Sequence, residues 1–483
     1  MSTNAKQITL IQQNDTHSYM ELHWEHFWRN GRPEYRRAGG YARTATIVKQ
    51  IRREANGACL FVDCGDTIHG TGPAQWTKGA AVVPVLNRMG VDLMTPGNWD
   101  FGYGPAILRE RIAQMDFPVI VCNVEQAATG EKAFPPTEVR EVGGVRVGFV
   151  GITSPIVTQT MSKKFGEGLR FNEPPDTLPR CIEKLRREDK AELIVVVSHL
   201  GFAQDVKLAK EVEGIHVILS AHTHNRLTEP VVIGKTLLIQ SGFDGTLLGR
   251  LDLEVREGHV CGFNHQLIEI AEHIACDGET HNIIDEQLKP FRERLSEVVG
   301  QTATALSRMT VLEATMDNVI TDAYRDLTGA EVAFSHGWRY GAPILPGDVT
   351  VGDLWQIIPT DPEIFTLEMT GRQIRQKLEA SLESVYAADP FNQKGGYVIR
   401  VSGLNAIARL NNPKGTRIEH LDIAGAPYKA DKRYTIAAAG EQDIKGGENK
   451  QATGTHAIDA LRQYFKRHSP IEAGLTHTKF VAI

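Results

Sequence analysis

The sequence predicts two successive domains, an α/β domain of layered sheet and helix followed by an α+β domain. Three observations carry this. The chain has 483 residues, 41% of them hydrophobic, more than one core usually organises. In the first half, short apolar runs alternate with helical stretches, as buried strands in a covered sheet do. From Ile283 to Val299, apolar positions recur at helical spacing among charges, the pattern of a helix bridging two domains.

The strands of the first domain are read in order. Ile8–Ile11 leads to Asp15 and His17, Cys59–Val62 to Asp66, and Val91–Met94 to Asn98. Leu193–Val197 leads to His199, and Val217–Leu219 to His222 and His224. Five strands thus deliver metal-type side chains at their C-terminal ends, the edge at which open α/β sheets bind ligands. Val119–Val121 and Val145–Val150 read as supporting strands. Val231–Gly258, punctuated by Gly242, Gly245 and Gly249, reads as hairpin material. The domains are expected at 1–275 and 301–483, joined by a linker helix over 276–300. In the second, Asp317–Leu327 and Gly371–Leu382 read as helices, and Tyr397–Val401 and Tyr434–Ala438 as strands.

A formal charge of -6 and the lack of a long basic run argue against nucleic acid or an anionic membrane as partner. Met1 to Gln7 are polar and the apolar run after them is too short for a membrane span or an export signal, so a cytoplasmic protein is expected. The six cysteines form no C-x-x-C pair; reduced, mostly buried thiols are expected.

A single histidine after a strand is weak evidence for a ligand. The ordered set Asp15, His17, Asp66, Asn98, His199, His222 and His224 is much harder to obtain by accident. Carboxylate, amide and imidazole donors without cysteine suit Mn²⁺, Zn²⁺ or Fe²⁺, Mn²⁺ foremost. Seven donors exceed one tetrahedral ion and suit two divalent ions bridged by a carboxylate.

The motifs N-D-T-H (Asn14–His17), G-G-Y-A-R (Gly39–Arg43), D-C-G-D (Asp63–Asp66), G-N-W-D (Gly97–Asp100), S-H-L-G (Ser198–Gly201) and A-H-T-H (Ala221–His224) resemble those of the calcineurin-like metallophosphoesterases, and within them the 5′-nucleotidase family. The resemblance covers nearly the whole chain. It implies a metallophosphoesterase-type first domain and a 5′-nucleotidase-type second domain. Asp15, His17 and His224 are implied as ligands of one metal, Asn98, His199 and His222 as ligands of the other, and Asp66 as the bridge. Such a pair generates a hydroxide nucleophile at neutral pH for attack on a tetrahedral phosphorus or sulfur.

Departures from the nucleotidases concern the leaving group and the base. Their pattern has G-N-H-E or G-N-H-D, whose histidine serves the departing oxygen and is oriented by the acid beside it. Here Trp99 replaces that histidine and Asp100 is the acid; indole cannot deliver a proton at neutral pH. The aromatic pair that holds the base aligns with Val398 and Gln442, leaving neighbouring Tyr397 as a substitute. The phosphate-binding arginine aligns with Arg339, beside Trp338.

The runs Trp99–Gly104, Gly337–Gly341, Leu345–Asp348 and Asp389–Gly396 resemble the thiosulfohydrolase branch of bacterial sulfur oxidation, which cleaves a sulfonate from a sulfur chain at a dimanganese site. The expected partners are therefore a small anionic substrate, either a phosphate ester or an S-sulfonate, and a thiol carrier. The alternatives are a cytoplasmic 5′-nucleotidase or phosphomonoesterase, and, behind these, a non-catalytic metal-binding protein. His69 is expected as a solvated loop histidine, and Tyr19 to Tyr35 as a long aromatic loop packed beside the site.

Overall fold

Continuous apolar runs become buried strands, and in the first unit they assemble into two sheets. The computed structural model describes residues 5–440, 444, 446–476 and 479–483. One sheet has the strand order His259–Glu269, Leu247–Arg256, Lys6–Gln13, Cys59–Asp63, Leu93–Met94. The other runs Val231–Ile233, Thr236–Ile239, Val217–Leu219, Leu193–Ser198, Val145–Ile152, Thr137–Val142. Cys59–Asp63 and Leu193–Ser198 are buried along their whole length, as central parallel strands covered on both faces must be.

Leu10, Val62, Val147, Val195 and Leu251 belong to the core shared by the two sheets. The helices Pro174–Arg187 and Phe202–Glu211 close a further core on the six-stranded sheet through Leu178, Ile182, Leu185 and Leu208. Lys6–Gln13, Cys59–Asp63 and Leu93–Met94 are mutually parallel, as are Val145–Ile152, Leu193–Ser198 and Val217–Leu219. Within each sheet, the loops after these strands therefore emerge on one edge.

By compactness the chain divides into Met1–His23 with Arg37–Pro290, and Trp24–Arg36 with Phe291–Ile483. The second unit has a five-stranded sheet ordered Tyr397–Ser402, Val332–Gly337, Arg433–Ala439, Glu363–Thr370, Glu448–His456, and a four-stranded sheet ending in Phe480–Ala482. The helices Thr315–Thr328 and Gly371–Tyr386 pack on the five-stranded sheet. The second of these opens on a reciprocal cap between Thr370 and Gln373, which satisfies two otherwise orphaned N–H groups. No helix among the described residues is long and apolar enough to cross a membrane.

Four expectations are corrected. The helix expected over Ile283–Val299 breaks at Pro290, which cannot supply the amide a continuous helix needs: Gly278–Leu288 packs on the first unit, Arg292–Ser296 lies in the second, and Val298–Thr302 is a strand. Val119–Val121 forms only an isolated bridge, Met94 with Val119. Tyr19 to Tyr35 is not a loop: it contains most of a hairpin, His23–Arg29 against Arg32–Ala38. That hairpin turns at Asn30–Gly31, both left-handed at φ 53° and 74°, as a tight hairpin turn requires. Cys59, Cys64 and Cys122 are buried, but Cys261 and Cys276 are exposed, because the strand end and the loop that carry them face solvent.

One buried histidine of this scaffold sets a pH dependence. His216 is 9% exposed and its Nδ1 accepts the Ile194 N–H at 2.9 Å. Burial, reinforced by the nearby Arg186, lowers it to about 4 from 6.5. The unfolded chain then binds a proton that the folded chain refuses, so stability is lost as pH falls from 6.5 towards 4. The loss approaches roughly 3 kcal/mol. In urea unfolding at pH 7 and pH 4.5, His216→Gln should show a shallower fall than the wild type; equal slopes would contradict this assignment.

Candidate metal centre

Five of the seven residues singled out as ligands, Asp15, Asp66, His17, His222 and His224, have left-handed backbones, with φ between 46° and 71°. Such conformations are costly for residues with a Cβ and persist where surrounding structure enforces them. Here hydrogen bonds between the strand-end loops do so: Asp15 N–H to Gly65 O at 2.8 Å, His17 N–H to Asp66 O at 2.9 Å, and His222 N–H to Asp15 Oδ2 at 2.9 Å. Gly97 is required by close approach, since a Cβ there would lie 2.2 Å from Asp66 Oδ1 and 2.5 Å from His199 Cε1.

The side chains meet as two buried groups, Asp15 with His17 and His224, and Asp66 with His199 and His222. His224 Nε2 lies 3.3 Å from both Asp15 Oδ1 and His17 Nε2. His199 Nε2 lies 3.2 Å from Asp66 Oδ2 and 3.7 Å from Asp15 Oδ1, so the groups adjoin. The outer atoms are held: Asp15 Oδ2 accepts from Asn14 Nδ2 at 2.7 Å and from the His222 N–H at 2.9 Å. Asp66 Oδ1 accepts the Trp99 N–H at 2.7 Å. His199 Nδ1 faces Cys64 O at 2.7 Å, which fixes the tautomer and turns Nε2 inward.

Charge and hydrogen bonding favour a cation here. Burial alone would raise the Asp15 carboxyl, yet the imidazoles of His224, His199 and His17 hold it far below the usual range. His199 is held up at about 10 because the carboxylates of Asp66 and Asp15 outweigh its burial. Asn98 Oδ1 is buried without a hydrogen-bond partner among the described residues, and the buried Asp15 Oδ1 and His199 Nε2 meet only other candidate ligands. Buried polar atoms left so are expensive, and oxygen and nitrogen donors converging in this way fit divalent ions of the Mn, Fe or Zn type.

Asp100, expected to orient the group at position 99, does other work. Its Oδ1 accepts the N–H groups of Thr67 and Ile68, both at 2.9 Å, and its Oδ2 those of Asp66 at 2.8 Å and Gly97 at 2.7 Å. Its two oxygens offer about four lone-pair sites, which these donors fill. Asp100 buckles two metal-site loops together. Asp100→Ala orphans four buried donors and should cost roughly 4 kcal/mol or more. Chemical unfolding checks this, and a change below about 1 kcal/mol would refute it.

His69 is likewise not solvated: it is 1% exposed and stacks on Trp99, centroids 4.7 Å apart and planes 23° apart. Gly102 makes room, because a Cβ there would sit 2.8 Å from the His69 ring. Phe165 meets Trp99 edge-on at 6.3 Å, so the indole is part of a packed aromatic wall.

The residues expected to bind substrate from the second half lie in the second unit. The guanidinium of Arg339 is 5.9 Å from the Tyr397 ring, and that of Arg400 is 5.3 Å from it. Arg400 and Arg308 share Asp317, at 3.1 and 2.7 Å, in a buried trio that sequence reading missed, Arg400 lying far along the chain from the other two. Trp338 lies beside His336 and Tyr340. Val398, aligned with one base-stacking position, is wholly buried in the core; Gln442, aligned with the other, lies outside the described residues.

Residues 8–226 match the family model of the calcineurin-like phosphoesterases, and residues 298–449 that of the 5′-nucleotidase C-terminal domain. Among curated relatives, the chain is 26% identical to the trifunctional nucleotide phosphoesterase protein YfkN of Bacillus subtilis, over 89% of this chain and 31% of that protein. It thus spans about a third of YfkN. It is 23% identical to protein UshA of Escherichia coli, over 98% of this chain and 93% of that one. Among solved structures, sulfate thiohydrolase SoxB of Thermus thermophilus matches with a TM-score of 0.90 at 27% identity, covering 99% of this chain and 96% of that one. A 5′-nucleotidase precursor, also from Thermus thermophilus, matches with a TM-score of 0.86 at 24% identity, covering 99% of each.

Fold and site together define a metal-dependent hydrolase. The chain belongs to the calcineurin-like phosphoesterases that carry a 5′-nucleotidase C-terminal domain.

Proposed function

We propose that this hydrolase cleaves an S-sulfonate, releasing the sulfonate sulfur as sulfate from a thiol leaving group, with two divalent ions, most readily Mn²⁺. The observation that carries the reading is Trp99, a packed indole that follows Asn98 directly and whose backbone N–H, not its ring, donates to Asp66. A thiolate is a weaker base than an alkoxide and departs without a positioned acid, so indole at this place is tolerable. When bound, the ions neutralise the oxyanion and lower the pKa of water.

The protein's own residues hold and orient. Asp15, His17 and His224 would hold one ion, and Asn98, His199 and His222 the other, with Asp66 between. Asn14 and the Trp99 N–H fix the two carboxylates. Arg339, with Trp338 and Tyr397, is proposed to bind the anionic substrate through a guanidinium that suits sulfonate and phosphate alike. A thiol carrier is the partner this reading implies. The likeness to sulfate thiohydrolase SoxB supports the sulfur-substrate reading.

The second reading, a phosphomonoesterase or 5′-nucleotidase, is favoured by those curated relatives whose names specify a nucleotide phosphoesterase or a 5′-nucleotidase. The Mn²⁺-loaded protein should hydrolyse an S-sulfonated thiol with a kcat/KM at least about a hundredfold above that for AMP, since general-acid help worth about 10²–10⁴-fold is missing for the alkoxide. The reverse order would give the protein to the nucleotidases.

A further inference from the structure

Asp205 was not singled out by the sequence motifs, and it ties together the two strands that supply the histidines of the second group. It is wholly buried in the first turn of the helix Phe202–Glu211. Its Oδ1 accepts from the Ser198 hydroxyl and its Oδ2 from the Ser220 hydroxyl, both at 2.6 Å. Ser198 immediately precedes His199, and Ser220 stands two residues before His222. The parallel ladder of these strands ends at Val197 with Leu219, so the carboxylate takes over the cross-strand link one position beyond the last pair. The link continues inward: Gln240 Nε2 donates to Ser220 Oγ at 2.9 Å and to Ala221 O at 2.7 Å, and Gln12 Nε2 donates to Ser220 O at 2.7 Å.

We propose that Asp205 is a positioning residue for the second ion, fixing the spacing of His199 and His222 through the two serine hydroxyls. The proposal rests on the two-ion reading of the site and is independent of the substrate. Hydrogen-bonded partners behind metal ligands typically govern about 10–100-fold in metal affinity, and a carboxylate bridging two strand ends sets a distance that neither strand fixes by itself.

The test is calorimetric titration of metal-free full-length protein with Mn²⁺, with a thermal melt of each variant. Asp205→Ala should weaken binding of one ion by about 10–100-fold and leave the other nearly unchanged, giving a curve like that of His199→Ala and unlike that of His17→Ala. Asp205→Asn should restore much of the loss, because its amide oxygen accepts from one hydroxyl and its NH₂ donates to the other. Ser198→Ala, which removes one arm of the link, should show the same one-ion loss, and it carries the test if Asp205→Ala does not fold.

Val147→Ala, a core cavity between the sheets, should lower the melting temperature without a one-ion loss. If both ions weaken equally in Asp205→Ala and Ser198→Ala, or neither does, Asp205 is merely structural and the proposal falls. If the wild type itself binds fewer than two ions, the reading of the site falls with it.

Discussion

Asp66→Ala is expected to bind less than one Mn²⁺ per chain where the wild type binds close to two, and to lose hydrolysis by about a thousandfold or more, the scale of removing charge stabilisation from a reacting centre. Asp66 is the proposed bridge: it sits with His199 and His222, its Oδ2 3.2 Å from His199 Nε2, and its charge also acts on His17 in the other group. Removing it withdraws negative charge from both positions. His199→Ala should chiefly deplete the ion of its own group, because Asp15, His17 and His224 keep their arrangement without it. Elemental analysis after loading and desalting reads both outcomes. Equal and complete loss of metal in the two variants would contradict the partition.

Why these seven candidate ligands were legible follows from how parallel sheets are built. A buried strand needs a continuous apolar run, and the loop after it opens on the binding edge, so Asp15, Asp66, Asn98, His199 and His222 each announce themselves by what precedes them. What the loops do to one another was not legible. Asp100 reads as a catalytic partner from its place beside residue 99, but its four donors come from residues 66 to 68 and 97, a closure that only tertiary packing creates. Burial of His69 likewise depends on Gly102 leaving space for its ring. The hairpin at Trp24–Arg36 had a local signal in Asn30–Gly31, masked by the run His23 to Arg29, which reads as an aromatic insertion. The break at Pro290 was legible in the same sense, since proline inside an apolar helical period ends the helix.

The second large effect is expected at Trp99. Replacing it by histidine puts a titratable ring where the nucleotidases have theirs, yet Asp100 cannot orient it, its oxygens being filled by backbone donors. The indole is also packed on His69 and against Phe165, so a smaller ring leaves space and lets the wall relax. Trp99→His should therefore lower kcat/KM for an S-sulfonated thiol by about tenfold or more, and raise that for an alkyl phosphate by no more than about tenfold, a small part of what a positioned acid gives. An aryl phosphate, whose leaving group is far more acidic, serves as the reference. A selective rise on the alkyl ester supports a missing acid at this position. Unchanged ratios between the two phosphate esters would show that Trp99 does not stand in an acid's place.

Both expectations depend on the two adjoining groups of buried donors holding two ions. The most direct test is the stoichiometry of Mn²⁺ binding to metal-free full-length protein, measured by calorimetry and by elemental analysis of the same sample. Close to two ions per chain, with the count falling below one in Asp66→Ala, is the predicted result. One ion or none in the wild type at saturating Mn²⁺, Zn²⁺ and Fe²⁺ would contradict it.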